Sequence, residues 1–282
     1  MKNFKSYLLE NSQSNNMIIE ESKRLVNEFT VLLKNKLFKN EDFKTGMENF
    51  YIGSKEGKID LQQHLNSAWK VNTQNSDMKY YTSKVLEPLY EAFNTIIDDL
   101  TINLKIKDSI VQVPIVFLPE HDVAFGTYYN RNSLREGEVS VHVDSISLWF
   151  AYSKNDVSII NKFYVDILVH EMQHALDDYK RKTNTDFDKM RFNYKKKNKI
   201  TDANETYEKY RLYPWEINAS YAQTIYRIIQ ELEDDKLAFD YKNAIIPRFN
   251  EMFDVNIINV MDKKQRNQLY SRLYKDIDEH FE

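Results

Sequence analysis

The sequence predicts an α+β fold that is mainly helical, with one small mixed sheet between helical regions. The chain of 282 residues contains only five glycines and five prolines, so few positions interrupt a helix or form a tight turn. Residues rich in β-branched side chains are concentrated between positions 109 and 144, whereas apolar residues at helical spacing precede and follow that stretch. An order of helices, sheet and helices is typical of the α+β class.

The first hundred residues are predicted to form three helices. Over residues 17–38, apolar side chains recur at helical spacing, at Ile18, Leu25, Phe29, Leu32, Leu33 and Leu37. Asp60 is placed to cap a short helix over residues 61–71. A third helix is predicted over residues 80–100, with Pro88 as a kink or a break.

Three strands are predicted next. Residues 109–119 are rich in β-branched side chains and end at Pro119. Pro114 has no N–H to donate, so it predicts an edge position or a bulge in that strand. Residues 124–130 and 138–144 are the other two strands, and the second of these alternates apolar and polar side chains.

Helices are predicted to resume near residue 157 and to continue to the C-terminus, with breaks at about 184–204 and 236–241. This pattern divides the chain into three regions, packed as one or two domains. They are an N-terminal helical region at 1–108, a core at 109–235 and a C-terminal helical region at 236–282.

The composition excludes several classes of function. The formal net charge of −4 provides no broad basic surface, so nucleic acid is not an expected partner. Because the chain has no cysteine, a metal ion would have to be held by His, Asp or Glu. No apolar run reaches the roughly 18 residues that a membrane span needs, and no signal peptide is recognisable. We therefore expect a cytoplasmic protein with no membrane partner.

A helical segment from Phe163 to Tyr179 contains the main candidate site. Its apolar residues form one stripe, whereas His170 and His174 lie on another face, one turn apart. Two imidazoles in this arrangement supply half the shell of a four-coordinate zinc ion. Glu171 lies about 100° around the helix, which suits a general base beside the metal. The alternative is a surface helix in which this spacing occurs by chance.

Glu216 is the candidate third ligand. Pro214 is a favourable first-turn residue, so a new helix is predicted to begin there with Glu216 in its first turn. The neighbouring residues are aromatic and apolar, and a carboxylate buried among them without a partner would be costly. Ligation of a cation removes that cost. The alternative is a glutamate that faces solvent, stabilised by the helix dipole.

These two segments, HEMQH at 170–174 and PWEINA at 214–219, resemble the zincin metallopeptidases whose third ligand is a glutamate, the gluzincins. The resemblance covers about residues 110–235 and implies a zincin-like core with the sheet packed on the active-site helix. It also implies one zinc ion per chain, held by His170, His174 and Glu216.

By this resemblance the protein would be a zinc-dependent metalloendopeptidase that acts on a protein or peptide substrate. Glu171 would be the catalytic base that takes a proton from zinc-bound water during attack on the peptide carbonyl. A tyrosine hydroxyl, from Tyr213 or Tyr210, would stabilise the oxyanion. Asp177 and Asp178 are expected to be exposed acids, with support of the ligating imidazoles as the alternative.

The resemblance also gives the strand at 138–144 a role. In zincins an edge strand just upstream of the zinc helix pairs with the extended substrate, and this strand occupies that place. The alternative is a strand that a loop covers.

The N-terminal residues 1–10, MKNFKSYLLE, resemble the capsid-targeting peptides of internal virion proteins in large tailed phages. This resemblance implies a phage protein that is packaged in the virion, delivered to the host cell and able to meet a virion or host protein partner. The alternative is the frayed start of an ordinary first helix.

Two rival functions remain open at this stage. One is a structural or binding protein, in the virion or elsewhere, that keeps the zincin fold without turnover. The other is a regulatory protease that cuts one specific partner, such as a repressor. Glu171 favours a hydrolase over the first rival, because a structural metal site does not need a carboxylate beside its first ligand.

Overall fold

A computed structural model gives the structure of the protein. It describes residues 12–41, 43–45, 48, 101–106, 109–118, 126–128, 137–143, 145–183, 196, 213–253, 258–259 and 261–282. The helices predicted at 61–71 and 80–100 lie outside these residues, so they stay predictions. The same holds for the N-terminal segment 1–10 and for most of the loop predicted at 184–204.

Helices dominate the described part of the chain, which confirms the mainly helical α+β prediction. The α-helices described there are α1 (Ser12–Asn35), α2 (Ser145–Lys154), α3 (Ser158–Thr183), α4 (Pro214–Glu233), α5 (Ile246–Met252) and α6 (Lys263–Phe281). A 3-10 turn, Leu37–Lys39, follows α1, and a π-helical turn, Tyr241–Ile245, leads into α5. Within the described ranges, no helix has the length and apolar character needed to cross a bilayer.

The helix predicted over 17–38 is confirmed as α1, which begins at Ser12. α2 was not predicted, because helices were expected to resume only near residue 157. Its sequence, SISLWFAYSK, has adjacent aromatic residues and no clear helical period, so the pattern gave no signal. Leu148 and Ala151 of α2 are fully buried.

The strands form one mixed sheet. They are β1 (Thr101–Ile106), β2 (Ser109–Leu118), β3 (Gly126–Tyr128) and β4 (Val139–His142), in the spatial order β1-β2-β4-β3. β2 runs parallel to β4, with Ile115 opposite Val139 and Leu118 opposite His142. β3 runs antiparallel to β4. The three predicted strands and the mixed character of the sheet are therefore confirmed.

One expectation about this sheet is wrong, and one strand was not predicted. β4 is an inner strand with neighbours on both sides, so it is not the edge that was expected to receive substrate. β2 is also an inner strand, but its pairing with β4 begins at Ile115, so Pro114 has no partner on that side, which agrees with a local edge position. β1 was not predicted, although its side chains alternate between polar residues and the apolar Ile102, Leu104 and Ile106.

The chain separates into two compact units. The first unit consists of Met1–Glu21, Leu104–Val111 and Val169–Glu282, and the second of Ser22–Asn103 and Gln112–Leu168. The boundaries predicted at residues 108 and 235 stay predictions, as does packing of the sheet on the active-site helix. All candidate metal ligands belong to the first unit.

Stacked aromatic rings form much of the core of the second unit. Phe29 of α1 stacks on Phe117 of β2 with ring centroids 3.8 Å apart. Phe38, Phe43 and Tyr152 form a second cluster in which both phenylalanines meet the tyrosine edge-on at 5.5 Å. Aromatic pairs at these separations contribute about 0.5–1.5 kcal/mol each beyond the area that they bury.

In the first unit, α4, α5 and α6 share an apolar and aromatic core. The rings of Tyr221 in α4 and Phe249 in α5 lie 6.0 Å apart, and both side chains are fully buried. α6 begins with a capping box, in which the Asp262 side chain accepts from the Gln265 backbone N–H and the Gln265 side chain accepts in return. The box defines the start of α6 and satisfies two backbone donors.

Candidate metal centre

α3 presents the two histidines from the middle of a long helix without glycine or proline. The predicted apolar stripe is buried along most of its length, at Val165, Leu168, Val169, Met172 and Leu176. His170 and His174 remain partly accessible, with side chains 22% and 14% exposed. The apolar stripe therefore holds α3 in the protein, while the imidazoles remain accessible to solvent.

The two imidazoles converge on one point. Their Nε2 atoms are 3.2 Å apart, and their rings are nearly perpendicular at 81°. A spacing of four residues brings the two side chains to neighbouring positions one turn apart on the helix. Both Nε2 atoms are thus available to the same ion.

Glu216 completes the group from α4. Pro214 occupies the first turn of this helix, as predicted, and Tyr213 is the N-cap residue. The Glu216 carboxylate lies 3.7 Å from Nε2 of His170 and 3.4 Å from Nε2 of His174. Its side chain is only 8% exposed, so the alternative of a solvent-facing glutamate is wrong.

The separations of these ligand atoms fit one metal ion. In a tetrahedral shell with bonds of about 2.0–2.1 Å, neighbouring ligand atoms are about 3.3–3.4 Å apart. The two Nε2 atoms are separated by 3.2 Å, close to that value. The nearest carboxylate oxygens of Glu216 are Oε1, 3.4 Å from His174 Nε2, and Oε2, 3.7 Å from His170 Nε2. His170, His174 and Glu216 could therefore hold a metal ion with little rearrangement.

Buried charge around this group also favours a cation. In the described residues of the first unit, Arg272 is the one buried Lys or Arg side chain. The buried carboxylates are more numerous, namely Glu171, Asp177, Asp178, Glu216 and Asp276. Because a buried carboxylate is costly away from water unless it is paired, a divalent cation bound at Glu216 would lower the electrostatic free energy of that side chain.

The expectation that Asp177 and Asp178 are exposed is wrong. They are only 1% and 6% exposed, because α3 is covered on more sides than its single apolar stripe indicated. Asp177 accepts hydrogen bonds from Gln173, at 2.9 Å, and from Asn218 of α4, at 3.3 Å. It therefore links the two helices that bear the ligands.

The candidate catalytic residues have different surroundings. Glu171, next to His170 in the chain, is 9% exposed. Tyr213 is fully buried and packs against Trp215 with ring centroids 4.5 Å apart. Tyr210 lies outside the described residues, so its role as oxyanion donor stays a prediction, like those of Glu171 and Tyr213.

Another tyrosine on α4, Tyr221, is occupied by a structural contact. Its hydroxyl donates to Asp276 of α6 at 2.9 Å. Burial, and then the negative charge of Asp276, raises the pKa of Tyr221 well above its usual value. The Tyr221 phenol is therefore neutral, and its hydroxyl is occupied by the hydrogen bond to α6.

The sequence patterns missed Asn218, Arg272 and Asp276, which form buried polar contacts close to the ligand helices. Asn218 lies two residues after Glu216, so its position in the same helical turn was the one available signal. Arg272 and Asp276 lie four apart on α6, a spacing that is equally common on exposed helix faces. Only the folded structure reveals that both are buried.

Comparison with known proteins identifies no relative of the chain. No protein-family model, curated protein sequence or solved structure matches the chain. The chemistry of the site is therefore argued from its own residues and distances.

Proposed function

We propose that the protein is a zinc-dependent metalloendopeptidase with a zincin-like core. The observation that carries this proposal is the convergence of His170, His174 and Glu216, which offer one ligand atom each within 4.8 Å of one another. Three protein ligands leave the fourth position of a tetrahedral shell open, which is the composition of catalytic rather than structural zinc sites.

The ligand types favour zinc over other common divalent ions. Two imidazole nitrogens and one carboxylate oxygen are a typical zinc set, whereas calcium and magnesium prefer shells made of oxygen. The ligand-forming groups lie on two separate helices, α3 and α4, which are rigid elements. A site built on helices maintains its geometry better than one built on loops.

The partial exposure of the two histidines supports access by substrate. At 22% and 14% exposure, the ligand side chains are close enough to solvent for a water molecule and a peptide to reach the site. A purely structural zinc site is normally closed by a fourth protein ligand. Among the described residues, the group contains three.

In this proposal Glu171 transfers a proton from water to the leaving amine. When bound, the ion would act as a Lewis acid that polarises a water molecule and the substrate carbonyl. A Glu171 carboxylate oxygen accepts a proton from water and later donates it to the leaving amine nitrogen. Its low exposure of 9% supports this role, because burial keeps competing water away from the proton.

The oxyanion donor, the substrate and the setting of the reaction are parts of the same proposal. Tyr213 or Tyr210 would donate a hydrogen bond to the developing oxyanion. The substrate would be a protein or peptide of the virion or the host. If residues 1–10 act as a capsid-targeting segment, the enzyme would be packaged in the virion and delivered to the host cell. A regulatory protease with a single target would use the same site.

The test is a pair of measurements on the full chain. Metal analysis of the wild type should find about one zinc per chain, and the His170→Ala variant should lose it. Glu171→Gln should retain the zinc and lose cleavage, scored by a proteome-wide search for new N-termini. The control is Glu279→Gln, which makes the same change on α6, where Glu279 is paired with Lys275.

The outcomes separate the proposal from its rivals. Zinc with cleavage that Glu171→Gln abolishes supports the peptidase, and a single cleaved protein identifies a regulatory protease. Zinc without cleavage by the wild type indicates the non-catalytic binding protein. Cleavage by Glu171→Gln at the wild-type rate refutes the assignment of the base.

A further inference from the structure

A connected set of buried polar side chains joins the two ligand-bearing helices to the C-terminal helix α6. We propose that Arg272 of α6 is a positioning residue, which acts through Asn218 and Asp177 to hold Glu216 at the correct distance from the two histidines. This inference rests on the proposed metal site and adds α6, which is remote from the metal-binding motif in the sequence, to the parts that the site requires.

The first link lies between α3 and α4. Asp177, three residues after His174, accepts from Gln173 Nε2 at 2.9 Å and from Asn218 Nδ2 at 3.3 Å on each carboxylate oxygen. Asn218 lies two residues after Glu216 on α4. All three side chains of this link are at most 1% exposed.

The second link lies between α4 and α6. Arg272 Nη1 donates to Asn218 Oδ1 at 3.0 Å, and Arg272 Nε lies 3.5 Å from Asp276 Oδ2. The guanidinium carbon sits 4.0 Å from the centre of the Tyr221 ring, and the Tyr221 hydroxyl donates to the same Asp276. Arg272 is thus held by a hydrogen bond, an ion pair and a cation–π contact.

Arg272 and Asp177 together determine which way the Asn218 amide faces. An asparagine amide has an acceptor end and a donor end. Because Arg272 can only donate, it takes the oxygen of Asn218 and leaves the NH₂ group for Asp177. Without Arg272, the buried Oδ1 of Asn218 would lose its donor, and the link from Asn218 to α6 would be lost.

Together these links hold α4 against α3 at two points. Glu216 faces His174, and Asn218 faces Asp177, which is about 4.5 Å further along α3 at the helical rise per residue. A single contact would let α4 roll or slide. Two contacts at different heights prevent both motions, so the distance from Glu216 to the imidazoles is fixed before a metal ion arrives.

Disruption of the polar set should weaken metal binding. Removal of groups that orient metal ligands typically weakens metal binding by about 10–100-fold. We therefore expect Asn218→Ala to raise the Kd for Zn²⁺ by about 10–100-fold, and Arg272→Met to do the same. The Kd is measured on the full chain by competition with a chromogenic zinc chelator, at a temperature where each apo variant is folded.

Two matched controls separate positioning from general packing. Leu269→Ala removes a fully buried apolar side chain from the same helix and leaves every member of the polar set in place, so it should lower Tm and leave the Kd unchanged. Arg248→Met removes another interhelical arginine, which pairs with Glu231 at 2.5 Å far along α4, and should also leave the Kd unchanged. If Arg272→Met fails to fold, the zinc affinity of Asn218→Ala tests whether the polar set positions Glu216.

The inference is overturned if folded Arg272→Met or Asn218→Ala binds zinc as tightly as the wild type, or if Leu269→Ala weakens binding equally. Either result would make the polar set a feature of stability alone. Failure of the metal site itself has a different signature, because the wild type would then bind no zinc. The two failures are therefore distinguishable within one experiment.

Discussion

Replacement of Glu216 by glutamine should remove most of the stabilisation by zinc without destabilising the apo form. Glutamine has nearly the shape of glutamate, so the packing around a side chain that is 8% exposed is preserved. The substitution removes one buried negative charge from a unit whose described residues contain more buried carboxylates than buried cations. Because that charge is costly without a cation, the apo variant should be at least as stable as the apo wild type.

The effect on the zinc-bound form has the opposite sign. At free zinc equal to 100 times the Kd, binding raises the free energy of unfolding by about 2.7 kcal/mol. For a chain of this size, that corresponds to a rise in Tm of about 5–11 °C. We take loss of this ligand to raise the Kd about 100-fold, which is the upper range for loss of a group that supports a metal ligand. The same zinc concentration then adds only about 0.4 kcal/mol to the free energy of unfolding. The rise in Tm then falls to about 1–2 °C.

The assay is a thermal melt of the wild type and Glu216→Gln, each with a chelator and with a fixed concentration of free zinc. Glu231→Gln on the same helix is the control, because its partner Arg248 is part of a surface pair. The reasoning is refuted if Glu216→Gln melts well below the apo wild type while still gaining several degrees from zinc.

Three further results are expected. Tyr221→Phe removes the buried hydrogen bond to Asp276, so urea unfolding should show a loss of about 1–3 kcal/mol. Asp240→Ala removes a side chain that accepts from the backbone N–H of Asn243, the main contact that lowers the Asp240 pKa, and from the backbone N–H of Lys242. A lowered pKa stabilises the fold above the unfolded value, so the variant's lower Tm at pH 7 should converge with the wild type as pH falls through the native pKa. Leu269→Ala should lower stability by about 2–5 kcal/mol in the same urea assay.

Much of the candidate site could be predicted because it depends on local sequence. A helix constrains residues four apart to one face, so His170 and His174 were expected to converge, and they do. Pro214 indicated the start of α4 and placed Glu216 in its first turn, as observed. The cost of burying a carboxylate then pointed to Glu216 as a partner of the histidines.

The features that were missed depend on packing between distant segments. The burial of Asp177 and Asp178 follows from coverage of α3 on several sides, which a single apolar stripe does not indicate. The inner position of β4 arises because β4 pairs with β2 as well as with β3, and the pairing of β2 with β4 skips β3 in chain order. Contacts of Arg272 with Asn218 span 54 positions in the chain, and periodicity contains no information at that separation.

The central claim is that one divalent ion binds between two imidazoles and one carboxylate. A crystal of the zinc-loaded protein, measured on both sides of the zinc absorption edge, tests it most directly. The account predicts one anomalous peak per chain, about 2.0–2.2 Å from Nε2 of His170, Nε2 of His174 and a carboxylate oxygen of Glu216. A zinc-loaded crystal with no peak at these three atoms, or with its peak at other residues, would contradict it.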